Sequence, residues 1–185
     1  QYAAFVRGGG YAIRRYWTKE GWDAKNRAGW RGPENFGEPY TLSNHPVVGV
    51  SWYEALAFCG WLTEVLRGAE VLGALQVITL PTEPQWEKAA RGIDGRLYPW
   101  GDKLDPDNAN YSETGIGTTH AVGCFPGGRS PYGVDEMSGH VFEWCRTIWQ
   151  GSYRNYQPDD TVFGAERRIV RGGSNYMMGN AIIAL

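Results

Sequence analysis

Three cysteines, three histidines and two clusters of aromatic and amide side chains are where this 185-residue chain could do chemistry or bind a partner. Cys59, Cys124 and Cys145 are far apart in sequence, and no CxxC pair exists, which excludes zinc held by paired thiolates. Cys59 falls on the apolar face of an expected helix and reads as a small hydrophobe, Cys124 sits in a turn and Cys145 in a short strand. His45 precedes a proline, and His140 lies inside Gly-His-Val-Phe-Glu-Trp. Together with His120 they do not give the spacing of a two-His-one-carboxylate iron site. There is no GxSxG, phosphate loop or HExxH, and Gly8-Gly9-Gly10 lacks a following Lys-Ser/Thr grip, so it reads as a helix stop. What remains is binding chemistry. Trp149, Tyr153, Asn155 and Tyr156, and the tail residues Asn175, Tyr176, Met177, Met178 and Asn180, offer stiff aromatic area, polar tips and adaptable thioethers.

Several elements must position these groups. Tyr2, Phe5 and Val6 have helical spacing up to the glycine run, and residues 18–44 read as a Trp/Gly/Pro-rich loop. Ser51-Trp52-Tyr53-Glu54 is a capping box that opens a helix with Ala55, Phe58, Cys59, Leu62 and Leu66 on its buried face and Gly68 as its stop. Thr82-Glu83-Pro84-Gln85 opens a second helix that ends at Arg91-Gly92. Residues 93–140 are dominated by turns, and short strands are expected at 141–145 and 168–171. The fold class is therefore α+β: two packed helices, a small antiparallel sheet and much irregular backbone. Twenty-six glycines and nine tryptophans suit such a body, with turns at positive φ and large rings filling the space between them.

The 18 basic and 20 acidic side chains leave a net charge of −2 with no basic run, which argues against a nucleic-acid surface. No apolar run is long enough to span a bilayer. Few cysteines, odd in number, favour reduced thiols and a cytoplasmic setting. The chain begins at Gln1 without Met, so an N-terminal truncation and domains fused upstream are expected.

Five phrases in order carry a resemblance: His45-Pro46-Val47-Val48-Gly49-Val50-Ser51-Trp52, Leu80-Pro81-Thr82-Glu83-Pro84-Gln85-Trp86-Glu87, Tyr98-Pro99-Trp100-Gly101, Gly139-His140-Val141-Phe142-Glu143-Trp144 and Val170-Arg171-Gly172-Gly173-Ser174. From Gln1 to about Ser174 the chain resembles the formylglycine-generating enzyme (sulfatase-modifying factor) family. That resemblance implies one domain over residues 1–185 with a C-type-lectin-like fold. The end, Ala-Ile-Ile-Ala-Leu, lacks the aromatic and Arg residues that close the family's fold, so an incomplete C-terminus is expected.

The enzymes of the family oxidise a substrate cysteine, using a copper-binding cysteine pair that follows the Arg-Gly-Gly-Ser phrase. Here eleven residues follow Ser174 and none is Cys, so no copper is expected. Another branch takes its three-His iron site largely from a different domain. The family's calcium turn corresponds to Glu136–Glu143, with Glu136, Glu143 and the carbonyls of Gly139 and Val141 as ligands. A weaker second calcium loop corresponds to Asn110 and Tyr111. Glu136 stands where the family more often has Asn or Asp, and His140 where it often has Asn. Non-catalytic members, among them the variable proteins of diversity-generating retroelements, use the fold as a display scaffold and vary the residues after Arg-Gly-Gly-Ser. The resemblance thus implies a non-catalytic module binding a protein or other surface ligand. The alternative is a copper-dependent formylglycine-generating oxidase whose catalytic cysteines lie outside these residues.

Overall fold

Short capped helices and closed turns carry most of the backbone. The computed structural model describes residues 1–154 and 159–184, so Asn155 and Tyr156 lie outside the described residues. Helix α1 (Tyr2–Arg7) ends at the glycine run as expected. Gly10 is required there, because a Cβ would overlap the Phe5 ring. Helix α2 (Lys19–Ala28) replaces part of the loop expected over 18–44. Thr18 Oγ1 accepts the Gly21 N–H at 3.1 Å, Lys25 and Arg27 occupy the last turn, and Gly29 closes the helix in the left-handed region at φ +71°. These ordinary start and stop signals override the aromatic-rich composition around them.

Helix α3 (Trp52–Gly68) and helix α4 (Glu83–Arg91) start where the two capping boxes placed them, and both boxes are reciprocal. The buried face of α3 differs from the expectation. Trp52, Leu56, Cys59 and Thr63 are buried, while Ala55, Phe58, Leu62 and Leu66 are only half-buried. The cause is polar: Thr63 Oγ1 faces inward to bond the Cys59 and Ile78 carbonyls and to accept the Ile78 N–H. Strand β1 (Glu143–Ile148) pairs with β2 (Arg168–Arg171) in a two-stranded antiparallel sheet. β2 coincides with the expected strand, and β1 begins two residues later than expected.

The chain forms two compact units. The first holds Gln1–Glu34, Gly49–Leu80 and Arg146–Arg168. Its core joins Tyr2, Phe5, Tyr11, Trp17 and Ala57, with Phe58 and Trp61 packed against them. A buried polar chain crosses it: the Tyr2 and Tyr11 hydroxyls lie 2.9 Å apart, and Tyr11 donates to Glu54 Oε1 at 2.6 Å. The other oxygen of Glu54 accepts the Ser51 N–H at 2.7 Å, so the residue that caps α3 also satisfies the core tyrosines. Burial pushes both phenols above their ordinary range.

The second unit holds Asn35–Val48, Pro81–Cys145 and Ile169–Leu185. One cluster joins Trp86, Ala90, Met137, Cys145, Ile169 and Ala184, and another joins Tyr98, Ala109, Tyr111 and Ile182. The Tyr98-Pro-Trp-Gly phrase is a rigid turn: Tyr98 stacks on Trp100 at 5.2 Å, and Tyr98 and Gly101 exchange both backbone hydrogen bonds. Among the described residues no helix is long and apolar enough to cross a membrane.

Glu54→Ala removes the cap and leaves the Tyr11 hydroxyl buried without its acceptor. The expected loss is about 2–4 kcal/mol, from roughly 1 for the cap and about 1–3 for the orphaned group. Urea unfolding measures it, and a loss under about 0.5 kcal/mol, the range of an ordinary surface substitution, would show the network to be idle.

Candidate functional site

The turn over residues 136–143, in the second unit, gathers the polar chemistry. Glu136 and His140 take left-handed backbone at φ +61° and +65°, and Gly139 does so at +74°. Two non-glycine residues in that region cost on the order of 1–3 kcal/mol each. They are held by their surroundings: Gly139 N–H donates to the Gly172 carbonyl and His140 N–H to the Asn110 carbonyl, both at 2.7 Å. Ser138 Oγ also donates to the Ile182 carbonyl.

Within this turn the structure makes an assembly that sequence spacing did not reveal. His120 and His140 stack at 3.9 Å with their rings nearly parallel, and Glu136 faces both. Glu136 Oε2 is 3.4 Å from His140 Nδ1 and 3.7 Å from His120 Nε2, while Oε1 accepts the Gly123 N–H at 3.0 Å. Two histidines and a carboxylate are therefore together after all, brought there by the left-handed turn. Burial alone would raise the Glu136 carboxyl, but the hydrogen bonds from the His140 ring and the Gly123 N–H, with the pull of the two neighbouring imidazoles, hold it below its usual range. Burial pushes His120 down. The third histidine, His45, borders this cluster, with Nδ1 3.0 Å from the Oγ1 of Thr119, the neighbour of His120.

Glu143, at the start of β1, points into the cluster around α4. Trp86 Nε1 donates to its Oε2 at 2.6 Å, so its partner is an indole. Burial raises its carboxyl to about 7. The Arg171 guanidinium lies over the Trp86 ring at 5.2 Å, with Nη1 3.4 Å from Glu83 Oε1 and Nη2 donating to the Ala184 carbonyl. Two of the phrases quoted above, Thr-Glu-Pro-Gln-Trp and Arg-Gly-Gly-Ser, thus meet as a structural joint. Asn110 is fully buried; its Nδ2 donates to the Thr118 carbonyl and its Oδ1 has no partner. Tyr111 is buried beside it in the core.

The expected contact residues divide. In the second unit Tyr176 and Met178 are exposed, at 67% and 63%, and Asn180 is exposed. Asn175 is buried and donates its N–H to the His140 carbonyl, so it belongs to the frame. Met177 is half-buried; its carbonyl accepts the Ser112 N–H, and its side chain packs on the cluster around Tyr98. The sequence reading missed Tyr40, whose hydroxyl lies 2.8 Å from that of Tyr176, and exposed Phe36, whose ring meets Tyr40 at 6.1 Å.

In the first unit Trp149 and Tyr153 are exposed. Arg168 lies over Trp52 at 4.1 Å and donates to the carbonyls of Arg146, Thr161 and Phe163, which organises the backbone leading to β2. The three cysteines are free. Burial pushes the Cys59 thiol up to about 11 and the Cys145 thiol to about 12, so neither is a thiolate near neutral pH. Cys124 is exposed.

The family described as "Sulfatase-modifying factor enzyme 1-like domain" matches residues 1–182. The chain belongs to that family. It is 34% identical over 195 aligned positions to a hercynine oxygenase of Mycobacterium tuberculosis, covering 92% of this chain and 41% of that protein. It is 32% identical to the formylglycine-generating enzyme of Mus musculus, covering 84% of this chain and 42% of that one. The chain thus spans less than half the length of these two relatives. Among solved structures, Treponema denticola variable protein 1 superposes with a TM-score of 0.60 at 24% identity, over 82% of this chain and 68% of that one. The α+β expectation and the sulfatase-modifying-factor type of fold both stand.

Glu143 gives a pH test. Its folded pKa is raised from 4.5 to about 7, so the native state binds the proton more tightly than the unfolded state does. The stability this confers is fully present below about 4.5 and is lost as pH rises through about 7, amounting to on the order of 3 kcal/mol. With EDTA present, Glu143→Gln should therefore gain stability relative to the native protein between pH 4.5 and 8, measured by urea unfolding. A constant difference across that range would refute the buried, raised carboxyl.

Proposed function

We propose that this chain is a non-catalytic ligand-binding module of the sulfatase-modifying factor family, presenting variable side chains from a fixed C-terminal segment. The observation that carries the reading is the division of labour within residues 175–180. The Asn175 N–H, the Met177 carbonyl and the Gly179 N–H are spent on the His140 carbonyl, the Ser112 N–H and the Glu113 carboxylate. Tyr176 and Met178 are exposed between these anchors, and Asn180 is exposed just after the last. A backbone tied every second residue tolerates changes at the alternate positions, which is what a display surface requires. Tyr176 and its neighbour Tyr40 add stiff area with polar tips, and Met178 adds an adaptable contact. Trp149 and Tyr153 are further candidates for contact in the first unit. The likeness to a variable protein supports the reading at the level of fold. A cysteine oxidase would need a thiolate pair, and the two buried cysteines here are protonated members of apolar surroundings.

Calcium belongs to this proposal as a structural ion. Half-buried Glu143, with the carbonyls of Gly139 and Val141, would supply oxygens for the first site, and Asn110 Oδ1, buried and without a donor, fits an oxygen ligand of the weaker second site. Glu136 fits less well, because its two oxygens already face Gly123 N–H and the histidines. Ca²⁺ bound to the native state alone would raise the melting temperature in proportion to the logarithm of its concentration.

The test is a library randomised at positions 176, 178 and 180. Surface changes cost about 0.5 kcal/mol or less each, so most members should keep the native melting temperature within a few degrees, and binders to a chosen protein antigen should be selectable. Asn175→Ala, which keeps the backbone anchor but removes a buried amide side chain, should cost more than any of them. General collapse of the library, or copper-dependent conversion of a cysteine peptide to formylglycine by the native chain, would overturn the proposal.

A further inference from the structure

An unresolved contact between two acceptors lies inside the His120–Glu136–His140 cluster. His120 Nδ1 is 2.7 Å from the Ala121 carbonyl, which can only accept, so the ring proton is on Nδ1 and Nε2 carries a lone pair. That Nε2 is buried without a hydrogen-bond partner, in a side chain only 10% exposed. It faces the Glu136 carboxylate at 3.7 Å. Lone pair and carboxylate therefore face one another with both side chains about nine-tenths buried. On the other side, His140 Nε2 accepts the His120 N–H at 3.2 Å, which leaves the His140 proton on Nδ1, towards the same carboxylate oxygen.

We propose that His120 Nε2, Glu136 and His140 form a binding site for a borderline divalent transition metal of the zinc or cobalt class, distinct from the oxygen sites suited to calcium. Imidazole nitrogens with one carboxylate suit Zn²⁺ and its neighbours, whereas calcium takes oxygen. The ligand atoms lie within 4.8 Å of one another, and the pairs at 3.4 and 3.7 Å match the spacing of neighbouring ligands about 2 Å from a shared ion. The outer shell is built as metal-ligating histidines need it. The Ala121 carbonyl fixes the His120 tautomer, Gly123 N–H orients Glu136, and Phe125 covers His120 edge-on at 4.9 Å. Loading asks for one rearrangement. The His140 proton passes from Nδ1 to Nε2, the 3.2 Å bond from the His120 amide is given up, and the ring tilts out of its stack. That gives up one hydrogen bond and leaves the His120 N–H and the new His140 Nε2–H as buried donors for the tilted ring to separate, against three metal–ligand bonds gained. Glu136 then serves this ion rather than calcium.

The probe is Co²⁺, read by its visible d–d bands, with Zn²⁺ as competitor, on protein first stripped with EDTA. The native chain and Cys124→Ser, which removes the exposed thiol as a rival ligand, should each take up one Co²⁺ and release it to Zn²⁺. His120→Phe keeps a ring in the stack while deleting the nitrogen, and Glu136→Gln keeps the shape while deleting the charge. Both should lose stoichiometric uptake and retain the native far-UV spectrum and melting curve of the stripped protein. If Co²⁺ and Zn²⁺ fail to bind the native chain, or bind His120→Phe equally well, the site does not exist. Loss of uptake in Cys124→Ser would assign the metal to the thiol and overturn the proposal as well.

Discussion

Gly139 passes so close to Asn110 that any side chain at 139 would overlap the Asn110 carbonyl oxygen. That approach is possible only for glycine, and its φ of +74° is one that glycine takes without strain. Because Gly139 clears the way, His140 N–H reaches the Asn110 carbonyl, Gly139 N–H reaches the Gly172 carbonyl, and the His140 carbonyl accepts Asn175 N–H. Three segments distant in sequence, around residues 110, 140 and 173, are tied at one point. The placement of His140 against His120, the start of β1 with Glu143, and the exit of the C-terminal segment all follow from it. A tie made of backbone groups also tolerates variation in the side chains around it, which explains how a chain with so little regular structure keeps one conformation.

The same tie sets the electrostatics. Holding Glu136 and His140 in left-handed backbone costs free energy, and the return is three buried hydrogen bonds with both partners in the protein. It brings a carboxylate, two imidazoles and a second carboxylate into surroundings with little water. Glu136 and Glu143 then diverge because their neighbours differ. Glu136 has donors and two histidines and is pushed down, whereas Glu143 has one indole N–H, and burial prevails. Two glutamates seven residues apart thereby acquire opposite characters, one suited to hold charge without help and the other in need of a cation or a proton.

Where the sequence was legible, the signal was local. Ser51–Glu54 and Thr82–Gln85 announce α3 and α4 because a capping box is complete within four residues. Helix α2 is equally well signed by Thr18 and Gly29, but Trp22 and the flanking Trp17 and Trp30 belong to a core with other segments and disguise it as loop. The buried face of α3 was misjudged by apolar periodicity alone, since Thr63 and Glu54 turn inward to polar partners that no periodicity reveals. The His120–Glu136–His140 cluster was illegible for a further reason. Positions 120 and 140 meet through a non-glycine residue at positive φ, which spacing rules do not anticipate. The tail was half legible: its composition pointed to a surface, but which residues are anchors depends on acceptors at 140 and donors at 112.

That alternation bears on how a fold of this family can change its work. The tail's hydrogen bonds run through backbone groups at 175, 177 and 179, so they persist whatever the side chains at 176, 178 and 180 become. Stability rests on Gly139, Gly172, the Trp86–Glu143 contact and the arginine that lies over Trp86, none of which depends on the identity of an exposed residue. A thiolate pair in the same segment would demand more than a tolerant backbone. It would need lowered thiol pKa values and two sulfurs aimed at one ion, hence side chains fixed as firmly as the frame itself. Here the alternate positions carry exposed side chains, of which Tyr176 meets the Tyr40 hydroxyl at the surface. A segment whose anchors lie in its backbone and whose alternate side chains are exposed is physically suited to recognition, because contact residues can be exchanged without disturbing the tie at Gly139.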